Sequence, residues 1–272
     1  GLVGVNSGAT ITNAYATGAV TAAITAAGGL VAEGENTGTI TNGYYDSDTT
    51  GQSHGAQSDG SQGLTTAELT AALPSGFDSS VWGNSGNRTT PYLLDAASGP
   101  QPVFIGDGSE GQFSLLFSMA QVQAINNDLA ANYALGDSLD ATGVTGWIPL
   151  GTDGAGNVWN GSGFAAYDPS APSSSLGFSG IFEGLGHTIS NLTVNIGVSQ
   201  YAGLFGYLSG ALRDIGVVSG SVTGGSYVGG LAGNVYAGTI TNSYATDTVN
   251  GTNIVGGLVG HIALGSITDS YA

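Results

Sequence analysis

Gly203-Leu204-Phe205-Gly206, Gly230-Leu231-Ala232-Gly233 and Gly257-Leu258-Val259-Gly260 place three leucines at successive intervals of 27 residues. A second element keeps a fixed phase to the first. Ile240 of Thr239-Ile240-Thr241-Asn242-Ser243-Tyr244 follows Leu231 by nine residues, and Ile267 of Ser266-Ile267-Thr268-Asp269-Ser270-Tyr271 follows Leu258 by nine. The same pair opens the chain: Leu2 precedes Ile11-Thr12-Asn13-Ala14-Tyr15 by nine residues, and Leu30 precedes Ile40-Thr41-Asn42-Gly43-Tyr44 by ten. Stretches such as Ile40-Thr41 and Val217-Val218, set between Gly, Asn, Ser and Thr, read as short strands between tight turns.

A unit this short cannot bury its own apolar face and must stack on copies of itself. The arithmetic predicts an all-β chain, a right-handed parallel β-helix (β-solenoid) with short helical insertions, in which a period of 27 suits three strands and three turns. Successive coils should sit about 4.8 Å apart. Leu204, Leu231 and Leu258 should then share one interior column, and Ile240 and Ile267 another. Asn13 with Asn42, and Asn242 with Asp269, should stack as side-chain ladders at a corner, while neighbouring glycines supply the sharp turns.

Repeats at 1–48 and in a second block at 103–272, where the regular units occupy 203–272, flank an insertion at 49–102. Residues 49–63 are rich in Gly, Ser, Gln and Asp and read as a surface loop. Thr65-Thr66-Ala67-Glu68 has the spacing of a capping box, which predicts a helix over 66–73 that stops before Pro74. Residues 96–102 read as a linker. A second helix is expected from Met119 to about Leu129, capped by Ser118 with Gln121 and carrying Met119, Val122 and Ile125 on its apolar face.

Composition limits the function. The 272 residues hold 19 acidic and 2 basic side chains, a net charge of −17, so the groups that neutralise phosphate or anionic lipid are scarce and nucleic acid is a poor partner. With no Lys and no Cys, Schiff-base chemistry, a P-loop, disulfides and thiol catalysis are all excluded. No run approaches the roughly 18 apolar residues that cross a bilayer, which predicts a soluble chain, without membrane insertion and lacking its targeting signal.

Gly-Gly-Leu-Val-Gly at 256–260 with Ile-Thr-Asn-Ser-Tyr-Ala at 240–245 resembles the GLUG repeat. That repeat occurs in large secreted bacterial surface proteins, including filamentous-haemagglutinin-like adhesins and non-catalytic parts of immunoglobulin A peptidases. The segment from Phe178 to Thr193 is similar to the one that precedes GLUG repeats in such proteins. The resemblance implies a scaffold of a secreted or cell-surface protein and no particular chemistry.

Candidate chemistry is confined to a few acidic, histidine and aromatic residues. Asp46 with Asp48, and Asp137 with Asp140, are acidic pairs of the kind used in acid/base work or Ca²⁺ binding, but in Gly/Ser-rich loops they read as turn residues. His54, His187 and His261 lack metal-ligand spacing. Asp153-Gly154-Ala155-Gly156-Asn157 reads as a turn, and the sequons at Asn87, Asn160, Asn191 and Asn250 as weak signals of glycosylation. No catalytic, metal or cofactor site is expected. Trp82, Trp147 and Trp159 are the candidates for stacking on a glycan, while Tyr15, Tyr44, Tyr244 and Tyr271 keep repeat phase and read as a structural stack.

The expected function is a non-enzymatic structural or adhesive segment with a glycan or matrix ligand. The alternatives are a carbohydrate-active β-helix enzyme and a filament subunit. Neither end of the sequence shows a cap, which predicts self-association through solenoid ends.

Overall fold

The computed structural model describes every residue of the chain except 23–26, 36–37, 54–59, 96–98 and 169–175. His54 and parts of the expected loop and linker lie outside the described residues. The chain forms two compact units, Gly1–Ala97 with Gln101–Gln112, and Ser98–Pro100 with Phe113–Ala272.

The second unit is a parallel β-solenoid. One face stacks Gln112–Leu116, Asn132–Leu135, Ile181–Glu183, Ala211–Arg213, Thr239–Thr241 and Ser266–Thr268, with Phe182 on Leu212, Leu212 on Ile240 and Ile240 on Ile267. Each regular coil then turns through four more strands. In the middle coil these are Gly216–Val218, Ser221–Thr223, Ser226–Val228 and Ala232–Tyr236. A coil therefore has five short strands and not the three expected. The backbone turns about every five residues because residues other than Gly adopt left-handed φ, among them Asp214 at 53° and Ser219 at 60°.

The expected leucine column forms: Leu204 and Leu231 are 0% exposed and Leu258 9%, in a core that also holds Phe182, Leu212, Ile240, Val217 and Val222. Ile267 continues the Ile240 register but is 40% exposed. The corner residues themselves take the strained conformation: Asn13, Asn42, Asn242 and Asp269 all have φ between 49° and 52°. The short polar side chains of Asn and Asp tolerate that region by bonding locally, so the turn falls on them and not on neighbouring glycines.

The first unit contains two parallel stacks. Val3–Ser7 pairs with Val31–Glu35, and Thr10–Ala16 with Thr39–Asp46, placing Ile11 on Ile40 and Tyr15 on Tyr44. Asn42 Nδ2 donates to Asn13 Oδ1 at 2.8 Å, which is the predicted amide ladder. Leu30, Val31 and Tyr45 form the buried centre of these coils.

The polar stretch 49–63 is more structural than its composition indicates. Its first residues end a short helix, α1 (Ser47–Thr50), in which Thr50 is buried, and Gln62 and Gly63 belong to a strand, Gln62–Leu64, added to the parallel stack. The helix expected at 66–73 is α2 (Thr66–Ala71), with both halves of the Thr65–Glu68 capping box formed. It ends early because Ala72 is extended, at φ −159°. The second expected helix is α3 (Met119–Gln123), followed by a 3-10 turn over Ala124–Asn127. Ser118 Oγ accepts from the Gln121 N–H at 3.3 Å, but Gln121 Oε1 takes the N–H of Phe117 instead of completing the box. Among the described residues no helix is long and apolar enough to cross a membrane.

Candidate functional site

The acidic pairs serve the backbone. Asp46 is 0% exposed; its Oδ1 caps α1 through the N–H groups of Asp48 and Thr49, and its Oδ2 accepts from Thr66 Oγ1 at 2.8 Å. Asp48 Oδ2 accepts from the Thr66 N–H at 2.9 Å, so the pair clamps α1 to the start of α2. Asp137 accepts from the N–H of Ser138, while Asp140 accepts from Thr142 and from Asn191 Nδ2. The Asn191 and Thr142 bonds hold the Asp140 carboxyl below its ordinary range. At Asp153 burial opposes ionisation, but bonds from Asn157 and Ala155 outweigh it and lower the pKa. The segment 153–157 is closed on itself as a turn. His187 sits half-buried in the turn into Thr188–Ser190, its N–H donating to the Gly184 carbonyl.

The tryptophans are dispersed. Trp147 is 3% exposed, packs in the solenoid core and donates Nε1–H to the Leu204 carbonyl at 3.4 Å, so its ring offers no free face. Trp82 stacks on Phe77 at 4.4 Å, with Tyr15 edge-on at 5.8 Å. Trp159 is half-buried against Phe164 at 5.4 Å. The phased tyrosines divide as well. Tyr244 and Tyr271 stack at 5.0 Å with planes 3° apart, whereas Tyr15 and Tyr44 each pack edge-on against Phe77. Their hydroxyls donate to the carbonyls of Pro91 and Ser75, and burial pushes the Tyr15 pKa up to about 12.

A different set of aromatic residues converges on the flank of the second unit. In the strands Gln200–Ala202, Ser226–Val228 and Asn253–Val255 the central residues Tyr201, Tyr227 and Ile254 all have left-handed φ, 71°, 57° and 54°. That geometry turns them out of the coil while their neighbours Ala202 and Val228 stay in the core. The adjoining face stacks Tyr207 on Asn234 and Asn234 on His261. The bulged backbone rests on the second glycine of each repeat motif. A Cβ on Gly233 would lie 2.7 Å from the Tyr227 carbonyl oxygen and 2.8 Å from Tyr201 backbone, and one on Gly260 2.5 Å from the Val228 nitrogen. The Gly-Leu-x-Gly motif is thus what lets the aromatic column form.

Between the two columns lies a groove of about 120 Å³ lined by Tyr167, Tyr201, Tyr207, Tyr227 and Tyr236, with Asn234 and His261 at its polar edge. Tyr201 and Tyr227 are stacked at 5.2 Å and 18°, and Tyr167 and Tyr207 at 6.0 Å and 29°. Tyr201 stands at 74° to Tyr207, so the two pairs meet nearly at right angles. Val158 and Leu176, from the non-repeating segment, pack with Tyr201 and Tyr207, which are 7% and 1% exposed. Burial raises the pKa of both, Tyr201 to about 12, and the neighbouring phenols add to this, so these two phenols stay neutral at neutral pH. His261 Nδ1 and Asn234 Oδ1 are 2.7 Å apart.

This groove was not singled out from the sequence, although a signal exists. Tyr207, Asn234 and His261 recur at the same interval of 27 as the leucines, three positions after each. Their side chains differ, however, so they do not register as a repeat of composition.

The GLUG motif family matches residues 224–250, the stretch that contains Tyr227, Gly233, Asn234 and Tyr236. Halomucin from Haloquadratum walsbyi (strain DSM 16790 / HBSQ001) is 35% identical over 151 residues, which is 54% of this chain. The chain spans 2% of halomucin's length. A solved structure of a Bacteroides ovatus protein, provisionally described as an immunoglobulin A1 protease, aligns over 59% of this chain and 75% of its own, with 16% identity and a TM-score of 0.37.

Proposed function

We propose that this chain is a non-catalytic structural segment of an extracellular or cell-surface protein, and that it presents the tyrosine groove on its flank as an adhesive face. The observation that carries the reading is the continuous parallel register of the coils from Ile181 onward, in which each coil pairs strand for strand with the next. Such a stack is a scaffold that can present side chains along its length. The GLUG motif and the halomucin relative support placement outside the cell. The engagement of Asp46, Asp48 and Asp140 in backbone bonds supports the non-catalytic part.

The test has two arms. An antibody against residues 103–272 should label intact cells that produce the full-length protein, and labelling only after lysis would overturn the location. The purified chain should release no products from neutral or acidic polysaccharides, and turnover abolished by D46N or D140N would overturn the scaffold reading.

A further inference from the structure

We propose that Asn250 is a site of spontaneous covalent modification, at which the Gly251 backbone nitrogen closes on the Asn250 side chain and water then converts the amide to a carboxylate. The inference is independent of the surface reading and of the tyrosine groove.

The chemistry needs only two neighbours and water. Gly251 N forms a bond to Asn250 Cγ, the Cγ–Nδ2 bond breaks, and ammonia leaves with the proton that Gly251 N gives up. One water then opens the five-membered imide. Attack at the side-chain carbonyl carbon yields aspartate. Attack at the main-chain carbonyl carbon yields isoaspartate, in which the chain runs through the former side chain and gains one backbone carbon. Glycine at the attacking position leaves the nitrogen unshielded and frees the backbone to turn. Asn-Gly occurs three times, at 42–43, 160–161 and 250–251.

The fold separates these three pairs. Asn42 lies inside the strand Thr39–Asp46 and donates from Nδ2 to Asn13 Oδ1 at 2.8 Å, while Gly43 is buried in register with Ala14, so neither the leaving group nor the nucleophile can move. Asn160 is exposed at the tip of the hairpin Val158–Trp159 and Phe164–Ala165. Its Oδ1 accepts the N–H groups of Ser162 and Gly163 at 3.0 and 3.1 Å, bonds that must break before Cγ can turn toward Gly161. Asn250 ends the strand Thr248–Asn250, is exposed, and has no side-chain partner among the described residues. Gly251 is exposed and outside any strand. The one bond that has to open for this peptide to rotate is that from the Gly224 N–H to the Asn250 carbonyl, at 3.1 Å.

The product changes the seam between coils. Asn250 stands in register with Thr223 and Asn195, a column of neutral side chains that would gain a charge. The extra backbone carbon of isoaspartate falls between the Gly224 bond and the two bonds that Thr252 makes to the Gly225 carbonyl, at 2.8 Å from its N–H and 2.7 Å from Oγ1. The seam therefore loosens with age, and the change does not reverse.

Peptide mass spectrometry of the chain aged in mildly alkaline buffer, with isoaspartate scored by enzymatic methylation, tests the proposal. In the folded chain Asn250 should convert at least about tenfold faster than Asn160, and Asn42 more slowly still, because attack requires a side chain and a backbone free to align. In denaturant the three pairs should convert at similar rates, which shows that the fold sets the order. N250Q should abolish the fast release of ammonia and melt like the parent protein, since the longer side chain cannot close the same ring. Aged protein should exchange the Gly224 N–H faster than fresh N250D, which carries the charge without the extra backbone carbon. Conversion of folded Asn42 as fast as Asn250, an inert Asn250 in a chain that converts when unfolded, or ammonia release unchanged in N250Q would each overturn the proposal. None of these results bears on whether intact cells are labelled.

Discussion

Arg213 Nε stands 3.1 Å from Glu183 Oε2, the two residues occupying the same register position on adjacent coils. The Glu183 side chain is 4% exposed and that of Arg213 30%, so the carboxylate is the more costly member to leave alone. Glu183 Oε1 also accepts the Leu185 N–H at 3.0 Å, tying the pair to a left-handed turn at φ 55°. Removing the cation should therefore cost more than an exposed pair would. R213M is expected to destabilise the chain by roughly 1–3 kcal/mol, below the full cost of breaking a fully buried pair because Arg213 is partly solvated. E183Q combined with R213M should recover part of that loss. Denaturant titration of the single and double variants at neutral pH checks this.

The glycine at 233 makes a sharper test of how the motif builds the flank. An added methyl meets backbone atoms of two coils at 2.7 and 2.8 Å, and backbone cannot swing aside. G233A should cost about 1–3 kcal/mol through overpacking and should shift the ring resonances of Tyr201 and Tyr227. A methyl on Gly163 meets nothing within 4 Å, so G163A should melt like the parent protein. Equal melting of the two variants would show that the close coil approach at Gly233 is not maintained in solution.

Leu231 lies at the middle of the leucine column with 0% exposure. L231A should cost about 2–5 kcal/mol, from the lost transfer energy and the cavity left between coils. L258A should cost less, since Leu258 is already 9% exposed. Chemical denaturation of both variants reads the difference directly.

Asp247 gives a pH dependence with a definite sign. Its Oδ1 accepts the Gly220 N–H at 2.7 Å from the preceding coil, but burial dominates and raises its pKa above the ordinary value. A carboxyl whose folded pKa is raised contributes stability below the ordinary carboxylate range and loses it as pH climbs through the folded pKa. D247N should therefore stabilise the chain at neutral pH, with the advantage fading as the solution is acidified through the raised folded pKa toward the ordinary carboxylate value. Asp140 has the opposite sign. Its pKa is lowered, so it contributes stability above the carboxylate range and loses it on acidification. D140N should be less stable than the parent protein at neutral pH and converge with it in acid. Melting curves across that range distinguish the two carboxyls.

The coil length could be read from the sequence because the leucine column needs one residue type at one phase, and only apolar side chains satisfy a dry interior. The capping box of α2 was legible for a similar reason, its two bonds being local to Thr65 and Glu68. The number of strands per coil was not legible. It depends on which residues adopt left-handed φ, and at Tyr201, Tyr227 and Ile254 that conformation is imposed by neighbouring coils against intrinsic preference. The burial of Trp147 was hidden likewise, since its contact with the Leu204 carbonyl spans 57 residues. The groove combines both difficulties, adding Tyr167 from outside the regular coils to rings whose register appears only on stacking.

Five strands per turn also fix what this architecture spends its residues on. A coil of 27 residues that advances by one strand spacing, about 4.8 Å, gains roughly 0.2 Å of height per residue, against 1.5 Å in an α-helix. As a spacer the second unit is therefore slow to gain distance. Its return is frontage: every added regular coil brings five more outward faces, and a change at Tyr227, Asn234 or His261 is felt in the storeys above and below, through the Tyr201–Tyr227 stack and the Asn234–His261 contact. Selection on such a chain would act on the façade by neighbouring storeys together, while copy number adjusted how many storeys there are.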